Sequence, residues 1–344
     1  MKVKAFCEYP FNRVRVTCEG DIAMCCFQRV NQLEDAHQPI GNVLKQTFDE
    51  IWFGELAEEI RQETMRGRLH KNCQVSGCPY LSDRKMREIH YGEYPTFLEI
   101  DLPNTHCNIG LEDPTNPKHP ACIMCERAHP EFKPQKNLLK QVLSRLTHLM
   151  PSLSQIHIQG IAEPFWKGLI WEILEDLQFD KYRHTLVIST TTNGLLLKEK
   201  TSDKFLREVP HSIVTFSLDA ATAETYRKIR IIDGFDLVLK NLNAYSRARC
   251  RSRQFLKIHN NINTLNVKEV KGMCQIAADA NVEFVEFNPT DGFHKEILVN
   301  GKNCGSFRKA HLDIISECER LNVPYKFFRP LDLGMTDQLV QITL

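Results

Sequence analysis

The chain has 344 residues, 42% of them apolar and 25% charged, which is the composition of an ordinary soluble globular protein with room for one large and one small domain. A net charge of +1 gives no electrostatic case for nucleic acid or an anionic membrane as partner. No run approaches the roughly 18 apolar residues of a membrane span, and the first residues hold no apolar signal core, so a cytoplasmic protein is expected.

Thirteen cysteines stand out. An odd number without a signal peptide argues against a disulfide framework and for metal-binding or catalytic thiols. Cys7, Cys18, Cys25, Cys26, Cys73, Cys78, Cys107, Cys122 and Cys125 crowd the first part of the chain, and only Cys250, Cys274, Cys304 and Cys318 follow.

In chain order, residues 14–17 and 22–25 flank Cys18-Glu-Gly-Asp21, a hairpin whose turn needs Gly20. Thr47 with Glu50 three residues on forms a capping box. The helix after it sets Phe48, Ile51, Trp52, Leu56 and Ile60 on one face and ends near Gly67. Cys73 and Cys78 then share a turn-rich loop. With Cys7 and Cys25 they make a complete ligand set for a closed metal site, a staple that so thin a core requires.

From residue 97 strands and helices alternate. Strands are expected at 97–102, 155–160, 185–191, 212–219, 255–262 and 283–288. Helices are expected at 138–149, 165–177, 199–208, 223–229, 235–248, 267–280 and 307–321. Six such units give a parallel sheet covered by helices, with the site at the C-terminal strand ends. Directly after the first of these strands come Cys107 and the pair Cys122-Ile-Met-Cys125. Three such cysteines can hold three corners of an iron–sulfur cube and leave the fourth iron open. A zinc ribbon would use the same residues.

The cysteine loop and the six units resemble the radical S-adenosylmethionine superfamily, whose fold is a partial (β/α)6 TIM-like barrel. The family's usual motif is Cys-x3-Cys-x2-Cys. Here Cys122 and Cys125 keep their spacing, Cys107-Asn108 matches the common Cys-Asn opening, and fourteen residues separate Cys107 from Cys122. Residues 159–164, Gln-Gly-Ile-Ala-Glu-Pro, look like the Gly-x-Gly-Glu-Pro motif with Ala162 in place of a glycine. Thr190-Thr-Thr-Asn-Gly194 resembles the ending of the third strand, and Ser217-Leu-Asp219 with Arg230 resembles the signature after the fourth.

The resemblance implies a [4Fe-4S] cluster on Cys107, Cys122 and Cys125 that chelates S-adenosylmethionine. One electron then cleaves the sulfonium to a 5′-deoxyadenosyl radical, which abstracts a substrate hydrogen. It also implies that Gly160, Ala162 and Glu163 accept from the methionine ammonium, since an ammonium needs only acceptors. Thr191 and Asn193 would meet the nucleoside, and Ser217 and Asp219 would bind cofactor or substrate. Arg230 would lie by the methionine carboxylate, a role suited to a fixed fork of donors. Asn261, at the end of the fifth strand, is placed to contact the adenosyl group or substrate.

Cys7, Gly20 and Cys25, followed by residues 40–43, 49–52, Arg61, Cys73 and Cys78, resemble the SPASM and twitch auxiliary-cluster modules. In most relatives that module follows the barrel, whereas here it precedes it. Four well-placed cysteines suit the one-cluster twitch form, with Cys18 and Cys26 as alternative ligands. The expected organisation is a cysteine-rich α+β auxiliary [4Fe-4S] domain at 1–92, the barrel at 93–330 and a tail at 331–344. A flavodoxin- or ferredoxin-type electron donor and a peptide, protein or small-molecule substrate are expected partners. Cys304, in a loop after the sixth strand, is a candidate hydrogen-atom donor or a bystander thiol. The competing class is a non-catalytic zinc- or cluster-binding adaptor, which has no need of Glu163, Asn193 or Asp219.

Overall fold

The computed structural model describes residues 1–25, 39–73, 84–103, 107, 122–125, 135–290 and 304–327. Two compact units divide the chain: residues 1–107 with 131–190, and residues 108–130 with 191–344.

The first unit opens with β1 (Lys2–Ala5), α1 (Tyr9–Asn12), β2 (Arg13–Val16) and β3 (Asp21–Ala23). β2 and β3 form the expected hairpin, Arg15 opposite Ala23 and Val16 opposite Ile22. Gly20 turns it with φ at 89°, a left-handed conformation that glycine adopts without strain. β4 (Gly41–Asn42) pairs with β3.

The Thr47 capping box is present, but the helix it starts is not continuous. α2 (Phe48–Trp52) stops, and α3 (Glu55–Met65) restarts after Gly54. The restart shifts the phase, so α3 buries Ala57, Ile60, Arg61 and Thr64 where Leu56 was expected to face inward. Arg61 is the tie: its guanidinium donates to the Pro10 carbonyl at 2.9 Å and the Trp52 carbonyl at 2.9 Å.

β5 (Arg87–His90) returns to pair antiparallel with β1, and β6 (Phe97–Leu102) lies parallel to β2. Neither pairing is visible to local periodicity. α4 (Leu139–Ser144) ends early and passes into a 3-10 turn over Thr147–Ser152 that contains Pro151, a residue that cannot donate within a helix. β7 (Gln155–Gly160) is parallel to β6. After it a 3-10 turn over Trp166–Gly168 precedes α5 (Leu169–Asp176), a later helix start than the pattern suggested. The sheet of this unit runs β8-β7-β6-β2-β3-β4, where β8 (Val187–Thr192) begins in the first unit and ends in the second.

The second unit continues with α6 (Glu199–Glu208), β9 (Ser212–Ser217), α7 (Ala223–Arg230) and α8 (Phe235–Ala248). β10 (Gln254–Ile262), α9 (Val270–Asp279), β11 (Phe284–Pro289), α10 (Cys304–Leu321) and β12 (Tyr325–Phe327) complete it. Its strands run in the order β12-β11-β10-β9, all in parallel.

Alternation explains the packing. On β9 and β10, Val214, Phe216, Leu256 and Ile258 are buried, while the residues between them face the other side of the sheet. α8 buries Val238, Leu242 and Tyr245, at the helical spacing such a sheet face demands. The β6–β11 strands are the six expected, and the architecture is α/β with parallel strands linked by helices. Among the described residues, no helix is long and apolar enough to cross a membrane.

Candidate active site

Cys122 to Cys125 form one tight turn, in which the Cys125 amide donates to the Cys122 carbonyl at 2.9 Å. The turn is pinned to the end of α7 by the Ile123 amide, which donates to the Ile229 carbonyl at 3.0 Å. Arg230, the last residue of α7, is 8% exposed. Its Nη1 donates to the Cys122 sulfur at 3.8 Å, and its Nη2 to the Ser217 carbonyl at 3.0 Å and the Ser217 hydroxyl at 2.8 Å. Nη2 also pairs with the Asp219 carboxylate. The other Asp219 oxygen accepts from the Asn261 amide at 2.7 Å, and the Asp219 carbonyl accepts from the Asn266 side chain at 2.8 Å.

The second unit thus gathers Cys122, Cys125, Ser217, Asp219, Arg230 and Asn261 into one connected group at the C-terminal ends of β9 and β10. Burial works against the Arg230 charge, but Asp219 and Cys122 outweigh it and its pKa is raised. Burial also pushes the Cys122 thiol up, with Arg230 pulling the other way.

Met124, between the two cysteines, is held from the strand ends. The Asn263 side chain donates to its sulfur at 3.4 Å and the Thr290 hydroxyl at 3.6 Å. Sequence reasoning did not single out Met124, Asn266 or Thr290. Their only signal was position: one inside the cysteine pair, two just past strands. In the loop after β8, the Asn193 side chain accepts from the Leu195 amide at 3.0 Å and the Thr192 hydroxyl from the Gly194 amide at 3.0 Å. Asn193 therefore shapes its own turn. Thr191 is half-buried beside it.

In the first unit, Cys107 is buried five residues past β6. Gly160 ends β7 with φ at 144°, and a Cβ there would lie 2.8 Å from the Leu102 amide nitrogen. Two residues on, Ala162 is buried. Glu163 is buried as well, and its carboxylate accepts from the Phe165 amide at 3.4 Å. On the half-buried side of this sheet lies a charged network. Arg13 meets Glu99 at 2.8 Å, and the Arg15 Nε donates to Asp101 at 2.7 Å. Gln159 donates to Glu99 at 2.6 Å. Glu99 is fully buried; burial alone would raise its pKa, but Arg15 and Arg13 hold it below the usual carboxylate value.

Of the amino-terminal cysteines, Cys7, Cys25 and Cys73 are half-buried. Cys73 closes a short turn by donating its amide to the His70 carbonyl at 2.8 Å. Cys18 is buried and donates to the Gln135 side chain at 3.5 Å. Burial, helped by Glu19 and Asp101, pushes its thiol up to about 12. Cys26, Cys78, Asn108 and the tail at 331–344 lie outside the described residues. Cys304 opens α10. Among the described residues, no three His, Cys, Asp or Glu side chains gather as a metal set. The Cys122–Cys125 turn fits an iron–sulfur cluster in its donor chemistry: two thiols with two residues between them, one of them facing an arginine N–H.

Residues 7–79 match the family model described as SPASM, iron-sulfur cluster-binding domain. No curated protein matches the sequence. Among solved structures, Streptococcus suis SuiB bound to S-adenosylmethionine is similar with a TM-score of 0.52 and 10% identity, over 93% of this chain and 72% of that one. SuiB bound to precursor peptide SuiA gives 0.51 and 12%, over 97% and 74%. Native anSMEcpe with bound AdoMet gives 0.50 and 19%, over 68% and 64%. In another SuiB alignment the chain spans 50% of that protein's length. At these identities the likeness is one of fold. The chain carries a SPASM iron–sulfur cluster-binding domain at residues 7–79 and has the partial-barrel fold of the radical S-adenosylmethionine proteins.

Proposed function

We propose that this chain is a radical S-adenosylmethionine enzyme whose cleavage cluster is held by Cys107, Cys122 and Cys125. The observation that carries the reading is the Cys122–Cys125 turn, bonded through Arg230 to Ser217 and Asp219. A [4Fe-4S] cluster held there would supply one-electron reductive chemistry toward S-adenosylmethionine, and with it radical hydrogen abstraction from a substrate. The chain's own residues bind and orient. Glu163 and the carbonyls of Gly160 and Ala162 accept from the methionine ammonium. Thr191, Asn193 and Asn261 border the nucleoside, and Ser217 with Asp219 fixes the strand end on which the cysteine turn rests.

Residues 1–92 form the auxiliary module, with Cys7, Cys25, Cys73 and Cys78 as ligands of one further [4Fe-4S] cluster. Residues 93–330 form the catalytic barrel. A peptide or protein substrate is favoured because SuiB, similar in fold, is bound to a precursor peptide. A flavodoxin- or ferredoxin-type protein supplies the electron. Cys304 is assigned as hydrogen-atom donor, and product formation by Cys304→Ala checks that role.

The test is anaerobic reconstitution followed by iron and sulfide analysis, with S-adenosylmethionine and dithionite added and 5′-deoxyadenosine measured. About eight irons with 5′-deoxyadenosine release are expected, four for each cysteine-held cube. About four irons with cleavage would remove the auxiliary cluster. Zinc without cleavage would sink the reading and leave the adaptor.

A further inference from the structure

A guanidinium offers five N–H donors in a fixed plane, and each of its two parallel forks needs two nitrogens side by side. At Arg230 the Nη2 nitrogen belongs to both forks. It is already shared among the Ser217 carbonyl, the Ser217 hydroxyl and the Asp219 carboxylate. Nε has no partner among the described residues. One of the two Nη1 N–H donors goes to the Cys122 sulfur at 3.8 Å. No fork is left intact for an incoming carboxylate. Among the described residues, the hydrogen bond this buried cation makes beyond the β9 strand end is to a cysteine sulfur.

We propose that Arg230 is a positioning residue for the cleavage cluster, donating an N–H hydrogen bond to the Cys122 sulfur and raising the potential at which the cluster accepts its electron. This rests on the reading of Cys122 as a cluster ligand. Reduction adds negative charge that is shared with the ligand sulfurs. A donor aimed at one of them stabilises the reduced state more than the oxidised one. Burial strengthens that bond. Asp219, itself fixed by the Asn261 amide and by Asn266, holds the guanidinium in place. The electron comes from the external low-potential donor; Arg230 keeps every proton, and no bond to it forms or breaks.

The experiment is a redox titration of the full, reconstituted chain followed by electron paramagnetic resonance, without S-adenosylmethionine. The signal that changes when S-adenosylmethionine is added afterwards identifies the open-iron cluster. Arg230→Lys keeps the charge and loses the planar fork. The pair Arg230→Gln with Asp219→Asn removes both charges together and leaves no buried carboxylate unpaired. The expected result is a midpoint shifted to more negative potential in both variants, with wild-type iron content and an unshifted second signal. An unchanged midpoint with weakened S-adenosylmethionine binding would overturn the proposal and make Arg230 a carboxylate clamp. Iron falling in both variants to the level of Cys122→Ala would overturn it as well, leaving Arg230 a structural residue. If wild type shows no S-adenosylmethionine-responsive signal, or Cys122→Ala retains all its iron, the cluster assignment itself fails.

Discussion

At the scale of single residues, thiols of one chemical type are put to different uses by their surroundings. Cys250 is exposed and its pKa is lowered, chiefly by the Ser252 hydroxyl it faces. Cys18 is buried and pushed up to about 12, and Cys274 meets Cys318 sulfur to sulfur at 3.3 Å in the packing of α9 against α10. The thiolate is the reacting species. Brief anaerobic treatment with iodoacetamide at neutral pH, read by peptide mass spectrometry, should therefore label Cys250 well before Cys18, Cys274 or Cys318.

Carboxylates show the same dependence on surroundings. Glu99 is buried between two arginines and held below its ordinary value of 4.5. A depressed carboxylate stabilises the fold above the unfolded value, and that contribution is lost as pH falls through the lower folded one. Glu99→Gln leaves Arg13 without its close partner and should cost about 3 kcal/mol in urea unfolding at neutral pH. It should also flatten the loss of stability below about pH 4.5.

At the scale of elements, Gly160 shows how close β7 comes to β6. A methyl group there would press on the Leu102 backbone at 2.8 Å, at a φ of 144° that side chains rarely adopt. Gly160→Ala should lower stability by about 1–3 kcal/mol through the backbone conformation alone, with the thermal midpoint as readout. The strand–helix alternation was legible because each strand is bounded by turn residues and each long helix carries a buried stripe. α6 and α8 fall at their expected limits. The break at Gly54 escaped because apolar spacing continues across it and only the backbone restart changes the buried face. β1 and β5 escaped because their pairing spans more than eighty residues, whereas periodicity reports on a window of a dozen. In the site, Ser217, Asp219 and Arg230 were legible as a motif. The grip on Met124 was not, because its two donors arrive from 139 and 166 residues away.

At the scale of the whole molecule, the SPASM region is woven into the first unit by backbone pairing. β2 lies parallel to β6 from Arg13 opposite Phe97 to Val16 opposite Ile100. A chain starting at residue 93 would expose the β6 edge and leave Glu99 and Asp101 without Arg13 and Arg15. It should accumulate as insoluble protein, because an uncovered sheet edge recruits other chains. Soluble, monomeric behaviour on gel filtration would count against this.

The same pairing sets a clock on biosynthesis. β1 and β2 are made well before their partners β5 and β6, which lie at residues 87–102. At about 5–20 residues per second, both early strands wait on the order of ten seconds for a template to pair with. Cys7, Cys18 and Cys25 emerge during that interval, before the sheet that buries their neighbours exists. Iron delivery to this end of the chain then belongs after residue 135 has been made, once Cys18 has its place against Gln135 and the remaining thiols are sorted by the fold.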